Sequence, residues 1–86
     1  MTMHDFITEY EQLNKTTAAK LEKLRKFCER ERPHYLTPEN EWAYFEFINY
    51  CEPDLQPMMD RMSELFKAAQ KEDWFPEYLE YLSSKN

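Results

Sequence analysis

Thiol and imidazole groups are the side chains of this sequence with the most scope for chemistry, and they are few. Two cysteines, Cys28 and Cys51, and two histidines, His4 and His34, are the whole supply. In a helical hairpin Cys28 lies near the turn and Cys51 lies about 20 Å away along the second helix, whereas a disulfide requires Cα atoms within about 7 Å. We therefore expect both cysteines to be buried as small hydrophobic residues, and we expect no metal site.

The sequence also lacks the parts of a catalytic site. Nucleophilic catalysis needs a nucleophile, a base beside it and donors for a developing oxyanion. His4 lies near one terminus and His34 in a connector, and there is no glycine to shape an oxyanion hole or a phosphate-binding loop. Carboxylates that can be placed, such as Glu77 and Glu80, fall on the solvent face of a helix. We expect no catalytic residue, no cofactor and no enzymatic activity.

The composition predicts an all-α fold in one domain, residues 1–86. Of the 86 residues 42% are hydrophobic and 33% are charged, which is typical of a small globular domain. The chain contains no glycine and no valine, so it lacks the residue of tight hairpin turns and a leading strand former. Ile7 and Ile48 are its only β-branched aliphatic residues. An extended sheet is therefore not expected.

Hydrophobic spacing predicts one long first helix. Apolar residues recur every three or four positions from Phe6 to Cys28, as on one face of a helix with 3.6 residues per turn. Thr16 or Thr17 could instead cap a second helix and divide this segment near Asn14, and the sequence leaves that alternative open. An unbroken helix of this length needs several later helices, or a partner, along its side.

Three later helices follow from their start signals, each a side chain suited to the N-cap followed within a turn by proline. These signals are Thr37 with Pro38, Asp54 with Pro57, and Asp73 with Pro76. The sequence thus predicts a small bundle of three main helices and a short C-terminal aromatic helix, over residues of about 4–32, 38–52, 55–72 and 74–83.

Helix two contains the residues that most favour a binding function. Its predicted core arc is filled by Ala43, Tyr44, Phe47, Ile48, Tyr50 and Cys51. Trp42 and Phe45 project instead among polar and acidic residues. Large aromatic side chains within a polar rim are common in binding hot spots. They could equally be covered by the aromatic residues of helix four, and both interpretations stay open. If they are exposed, the expected partner-binding residues are Trp42, Phe45, Glu46 and Asn49.

Helix one carries a second candidate surface, a basic face. The protein has a formal net charge of −6, yet residues 15–32 contain seven basic and three acidic side chains. At 100° per residue, four of these basic residues share the side opposite the apolar residues: Lys15, Lys23, Lys26 and Arg30. Such a face is typical of phosphate-contacting helices, but no base-stacking aromatic lies among these residues. A solvated face and a dock for an acidic protein are the other interpretations.

The sequence therefore predicts a non-enzymatic protein-binding module. Its expected partner is a protein, which includes a second copy in a homodimer, and nucleic acid and membrane are not expected partners. Small acidic proteins without catalytic groups often act as regulators, as inhibitors or adaptors, including those encoded by phages and mobile elements. The alternatives are nucleic-acid binding by the basic face, or mimicry of nucleic acid by acidic residues such as Glu46, Glu52 and Asp54. The N-terminus has no signal-peptide pattern, so a cytoplasmic location is expected.

Overall fold

The computed structural model describes residues 1–85, and it confirms the predicted all-α fold. Four α-helices and two short 3-10 helices make up this part of the chain, which contains no strand. The α-helices are α1 (Met3–Glu31), α2 (Glu41–Cys51), α3 (Leu55–Ala69) and α4 (Phe75–Lys85), and the 3-10 helices are Pro33–Leu36 and Pro38–Asn40.

Helix α1 is continuous, so the alternative of a break near Asn14 is wrong. It begins at an N-cap, where the Thr2 hydroxyl accepts a hydrogen bond from the Asp5 amide at 3.1 Å. It ends two residues before Pro33, which cannot continue a helical hydrogen-bond ladder. Midway, the buried Thr17 hydroxyl donates to the Asn14 carbonyl at 3.1 Å. That side chain is therefore satisfied inside the helix and caps nothing.

Helices α2 and α3 run back along α1, one after the other. In the C-terminal half of α1, Leu24 is buried in a cluster with Ile48 of α2 and Leu55 of α3. In the N-terminal half, Phe6 is buried in a second cluster, with the end of α3 and with α4. The long helix thus finds the partners along its side that its length requires, and the molecule measures 46 × 26 × 21 Å.

Ion pairs along the flank of α1 fix the register of the returning helices. Lys20 lies 2.9 Å from Glu52, just after α2. Glu9 accepts two hydrogen bonds from the Arg61 guanidinium of α3, at 2.8 and 3.2 Å. Because a bidentate pair fixes orientation as well as distance, these contacts hold α3 in one position along α1.

Several predicted helix boundaries shift in the structure. Helix two begins as a 3-10 helix at Pro38–Asn40, and the Thr37 hydroxyl donates to the His34 carbonyl at 2.8 Å rather than capping the next helix. Helix α3 ends at Ala69 rather than at residue 72, since the amides of Lys71 and Glu72 bond to carbonyls only three residues back. The start signals located the helices, although neither Thr37 nor Asp54 makes a side-chain capping hydrogen bond.

Two residues assigned to the core arc of helix two are exposed. Tyr50 is 87% exposed, because it lies two residues after the buried Ile48 and so projects about 200° around the helix from it. Cys51 is the last residue of α2 and lies beyond the turn that Phe47 and Ile48 pack against α1. The prediction that both cysteines are buried is therefore wrong for Cys51, while Cys28 is fully buried.

Candidate docking groove

Helix α4 lies against both α1 and α3, but only near the N-terminal end of α1. The Tyr78 ring packs edge-on against Phe6, with centroids 4.9 Å apart. The Tyr81 hydroxyl donates to Glu11 at 3.1 Å, and Phe75 contacts Phe66 of α3 at 5.7 Å between rings. The trough between the two longer helices is therefore occupied by a third helix at this end of the molecule.

Beyond α4 the trough is uncovered, and we call this stretch the groove. It consists of two adjoining hollows of about 640 and 590 Å³, which meet at Ala18, Leu21 and Met59. Along α1 it extends from Tyr10 to Arg25, which is about 22 Å at 1.5 Å per residue. This length matches about four turns of a helix.

The larger hollow forms what we call the aromatic end of the groove. Trp42 and Phe45 of α2 lie on its rim, with their rings edge to face at 6.5 Å between centroids. Trp42 is 82% exposed and Phe45 is 47% exposed. The floor beneath them is formed by the buried Ile48 and Leu55. An indole so exposed above an apolar floor leaves most of its surface in contact with water.

The smaller hollow forms the methionine end. Met59, which is 46% exposed, and Met62 line it together with Phe66, and the Met62 sulfur lies 3.9 Å from the Thr17 hydroxyl. Ser63 and Gln70 supply polar groups at the margin. Because unbranched thioether side chains change rotamer easily, this end can adapt its shape to an apolar group placed on it.

The charges around the groove differ between its two ends. Beside the aromatic end, Arg25 is bonded to Glu22 at 2.7 Å and to Glu29, and the Arg25 hydrogen bond lowers the pKa of Glu22. At the methionine end Lys67 lines the hollow, and Lys15 follows the lining residue Asn14 on α1. Within residues 1–85 neither lysine has an ion-pair partner, so the cations at this end are uncompensated.

The structure brings together three of the four expected partner-binding residues. Trp42, Phe45 and Asn49 all line the aromatic end, while Glu46 is exposed nearby on α2 but does not line the hollow. Ala18 and Leu21, where the two hollows meet, were not predicted as site residues. Leu21 belongs to the narrow apolar stripe of α1 and Ala18 lies beside it, but the sequence carries no signal that this part of the stripe is left uncovered.

The other predicted surfaces are exposed but are not gathered into a hollow. The basic face consists of Lys15, Lys23, Lys26 and Arg30, all of them exposed on α1, and Lys26 lies 3.9 Å from Glu22. Among the acidic residues considered for mimicry, Glu46 and Asp54 are exposed, whereas Glu52 is paired with Lys20.

Residues 1–85 contain no group of three or more His, Cys, Asp or Glu side chains placed to hold a metal ion. None of the helices in this range has the length and apolar character needed to cross a membrane. Burial raises the pKa of the Cys28 thiol, with a smaller contribution from Cys51, so this thiol is held in its protonated form. The separation of about 20 Å predicted between the two cysteines is wrong, because Ile48 packs against Leu24 and Glu52 pairs with Lys20, which brings Cys51 within about two turns of Cys28 along α1.

Comparison of the chain with known protein families, with characterised proteins and with solved structures found no match.

Proposed function

We propose that this chain is a protein-binding module that docks an apolar helical surface of its partner in the groove. The observation that carries the proposal is Trp42, which is 82% exposed on the rim of an apolar hollow of about 640 Å³. Tryptophan is enriched among the residues that dominate binding energies, and such residues become fully desolvated in the complex within a ring of contacts that excludes water.

The shape of the groove supports a macromolecular rather than a small-molecule partner. Small ligands are enclosed by their pockets, whereas this groove is open along about 22 Å of α1. An amphipathic helix laid into an apolar groove is a recurring mode of recognition. The same trough already accepts a helix, since α4 occupies its other end through Tyr78 and Phe75.

Binding of this kind suits a regulator. The proposed module acts on its partner by covering a surface or by joining two surfaces, as an inhibitor or adaptor does, and it contributes no chemistry of its own. The net charge of −6 favours solubility and opposes indiscriminate binding to other acidic macromolecules. Specificity would then come from the shape of the groove and from the charges at its margins.

Capture of binding proteins by three forms of the chain tests the proposal. The forms are the wild type, Trp42→Ala with Phe45→Ala, and Tyr50→Ala, each immobilised by the same tag and offered an untagged wild-type chain and a cell extract. Tyr50 is a matched control, because it is 87% exposed on the same helix but does not line the groove. We expect the partner to be captured by the wild type and by Tyr50→Ala, and lost by the double variant.

Circular dichroism of the three forms shows whether the fold is preserved. The double variant should keep the helical spectrum of the wild type, because both side chains are exposed. Identical sets of captured proteins for all three forms would refute the role of the groove. Binding of a DNA or RNA duplex that weakens steeply with salt would favour the basic face instead, with a slope of about 0.9 per phosphate contacted on logarithmic axes.

A further inference from the structure

The two ends of the groove complement each other. At the aromatic end Trp42 and Phe45 project from the rim, whereas at the methionine end the hollow of about 590 Å³ is lined by the adaptable side chains of Met59 and Met62. Both ends lie on the same face of the molecule. A face that carries a projecting group and a hollow side by side can pair with a copy of itself, as in the self-complementary interfaces of two-fold dimers.

The charges at the two ends are complementary as well. Glu41 and Glu46 flank the aromatic residues on α2, and both are exposed. Lys15 and Lys67 flank the methionine end. In the part of the chain that the structure describes, none of these four side chains has an ion-pair partner. The aromatic end is therefore flanked by negative charges and the methionine end by positive charges. Opposite charges that meet across an interface fix its register.

The dimensions of the molecule suit an antiparallel pair. The two hollows meet at Ala18 and Leu21, within about one turn of Thr17, the midpoint of the 29-residue α1. A two-fold axis through that point and perpendicular to α1 would make the two α1 helices antiparallel, with the aromatic end of each copy facing the methionine end of the other.

From this complementarity we infer that the groove binds a second copy of this chain, with the aromatic end of each copy seated in the methionine end of the other. The inference rests on the proposed function and identifies its partner. Trp42 and Phe45 would be the anchors, so replacing both with alanine should raise the dimer dissociation constant at least about 30-fold.

Charge reversal tests the arrangement directly. One variant carries Glu41→Lys and Glu46→Lys, and the other carries Lys15→Glu and Lys67→Glu. Each variant alone places like charges at both contacts of a homodimer, whereas an equimolar mixture restores opposite charges at both contacts. By light scattering after gel filtration we expect the wild type at twice 10.6 kDa, each variant alone at 10.6 kDa, and the mixture again at twice that mass.

A second pair of variants controls for net charge. Glu77→Lys with Glu80→Lys, and Lys23→Glu with Arg30→Glu, change the charge by the same amounts at exposed positions that do not line the groove. Each of these should dimerise alone like the wild type. If the control pair also dimerises only when mixed, overall charge and not the groove drives association, and the inference is wrong.

Two other results would overturn the inference. The first is a wild-type chain that stays at 10.6 kDa from micromolar to near-millimolar concentration. The second is a pair of groove variants that dimerise separately as well as together. Neither result touches the proposed function, which is decided by the capture experiment. If the wild type is a monomer and the variant without Trp42 and Phe45 no longer captures some other protein, the chain is a binding module whose partner is that protein.

Discussion

The two thiols differ in the property that governs cysteine reactivity, which is access to the thiolate form. Cys28 is fully buried and burial raises its pKa, whereas Cys51 is exposed at the end of α2. We expect a disulfide reagent such as DTNB to react quickly with one thiol per folded chain and with the second only in denaturant. The colour released at 412 nm measures both phases.

Replacing Cys51 with serine should remove the fast phase and leave the slow one. A fast reaction with two thiols in the folded state would contradict the burial of Cys28. Absence of any fast phase would show that Cys51 is covered in solution, although it is exposed in the structure of the single chain. The fraction that reacts quickly therefore reports directly on the burial of each cysteine.

Carboxylates along α1 are held in their charged form by partners on later helices. The Arg61 hydrogen bond lowers the pKa of Glu9 below its ordinary value of 4.5, and the Lys85 hydrogen bond does the same for Glu11. A lowered pKa in the folded state means that the pair stabilises the fold above about pH 4.5, and that this stabilisation is lost as the pH falls through the folded value.

Arg61→Gln should therefore raise the titration midpoint of Glu9 toward 4.5 and leave that of Glu11 unchanged. Carbon NMR of the side-chain carboxyl groups measures both midpoints in one sample. Lys85→Gln is the reciprocal control, since it should shift Glu11 alone. Equal shifts of both residues in either variant would show that the helices have moved, and that the individual pairs do not set the midpoints.

At the scale of elements, the N-cap of α1 is a local contact with a measurable value. Thr2→Ala removes the acceptor of the Asp5 amide and should lower the free energy of unfolding by about 1 kcal/mol, whereas Thr2→Ser should retain most of it. Urea denaturation followed by circular dichroism measures the difference. Thr8 provides the control, because its exposed hydroxyl bonds only to the His4 carbonyl within the helix.

Alanine at position 8 should be neutral or slightly stabilising, since alanine is the better helix former and that hydroxyl satisfies no helix end. If Thr8→Ala lowers the free energy of unfolding as much as Thr2→Ala does, the decrease comes from the loss of a threonine side chain in general and not from the loss of the cap. This pair of substitutions thus separates the cap from the helix propensity of the residue.

The elements that the sequence predicted best are those with local signals. Four helices followed from hydrophobic spacing and from prolines near the helix starts, because both features act within one or two turns. The continuity of α1 through Thr17 was open, since a threonine caps a helix or lies within one depending on what covers it. Here Met62 and the helix itself satisfy its hydroxyl.

Tertiary features were less accessible from the sequence. The exposure of Trp42 and Phe45 depended on where α4 packs, and it packs on Phe6 rather than on α2. The exposure of Tyr50 and Cys51 has the same cause, because α2 is covered on one side only. The groove itself arises where no third helix lies, and a sequence pattern carries no mark of a missing neighbour.

At the scale of the whole molecule, elongation distinguishes one kind of dimer from another. The Cα radius of gyration is 15.9 Å, whereas a compact chain of this length has about 12 Å. The longest dimension of 46 Å is close to the length of the 29-residue α1, which is about 43 Å at 1.5 Å per residue. Small-angle X-ray scattering should therefore find a dimer whose maximum dimension stays near that of one chain, because antiparallel copies joined through their grooves lie side by side.

Joining through the ends of α1 would instead give a maximum dimension approaching twice 46 Å, which would exclude the shared groove as the interface. The Trp42→Ala and Phe45→Ala double variant is the reference, since it should scatter as a single elongated chain at the same concentration. In the side-by-side dimer the thickness should increase while the length does not. Comparing the cross-section and the length of the two samples therefore tests the placement of the interface independently of its affinity.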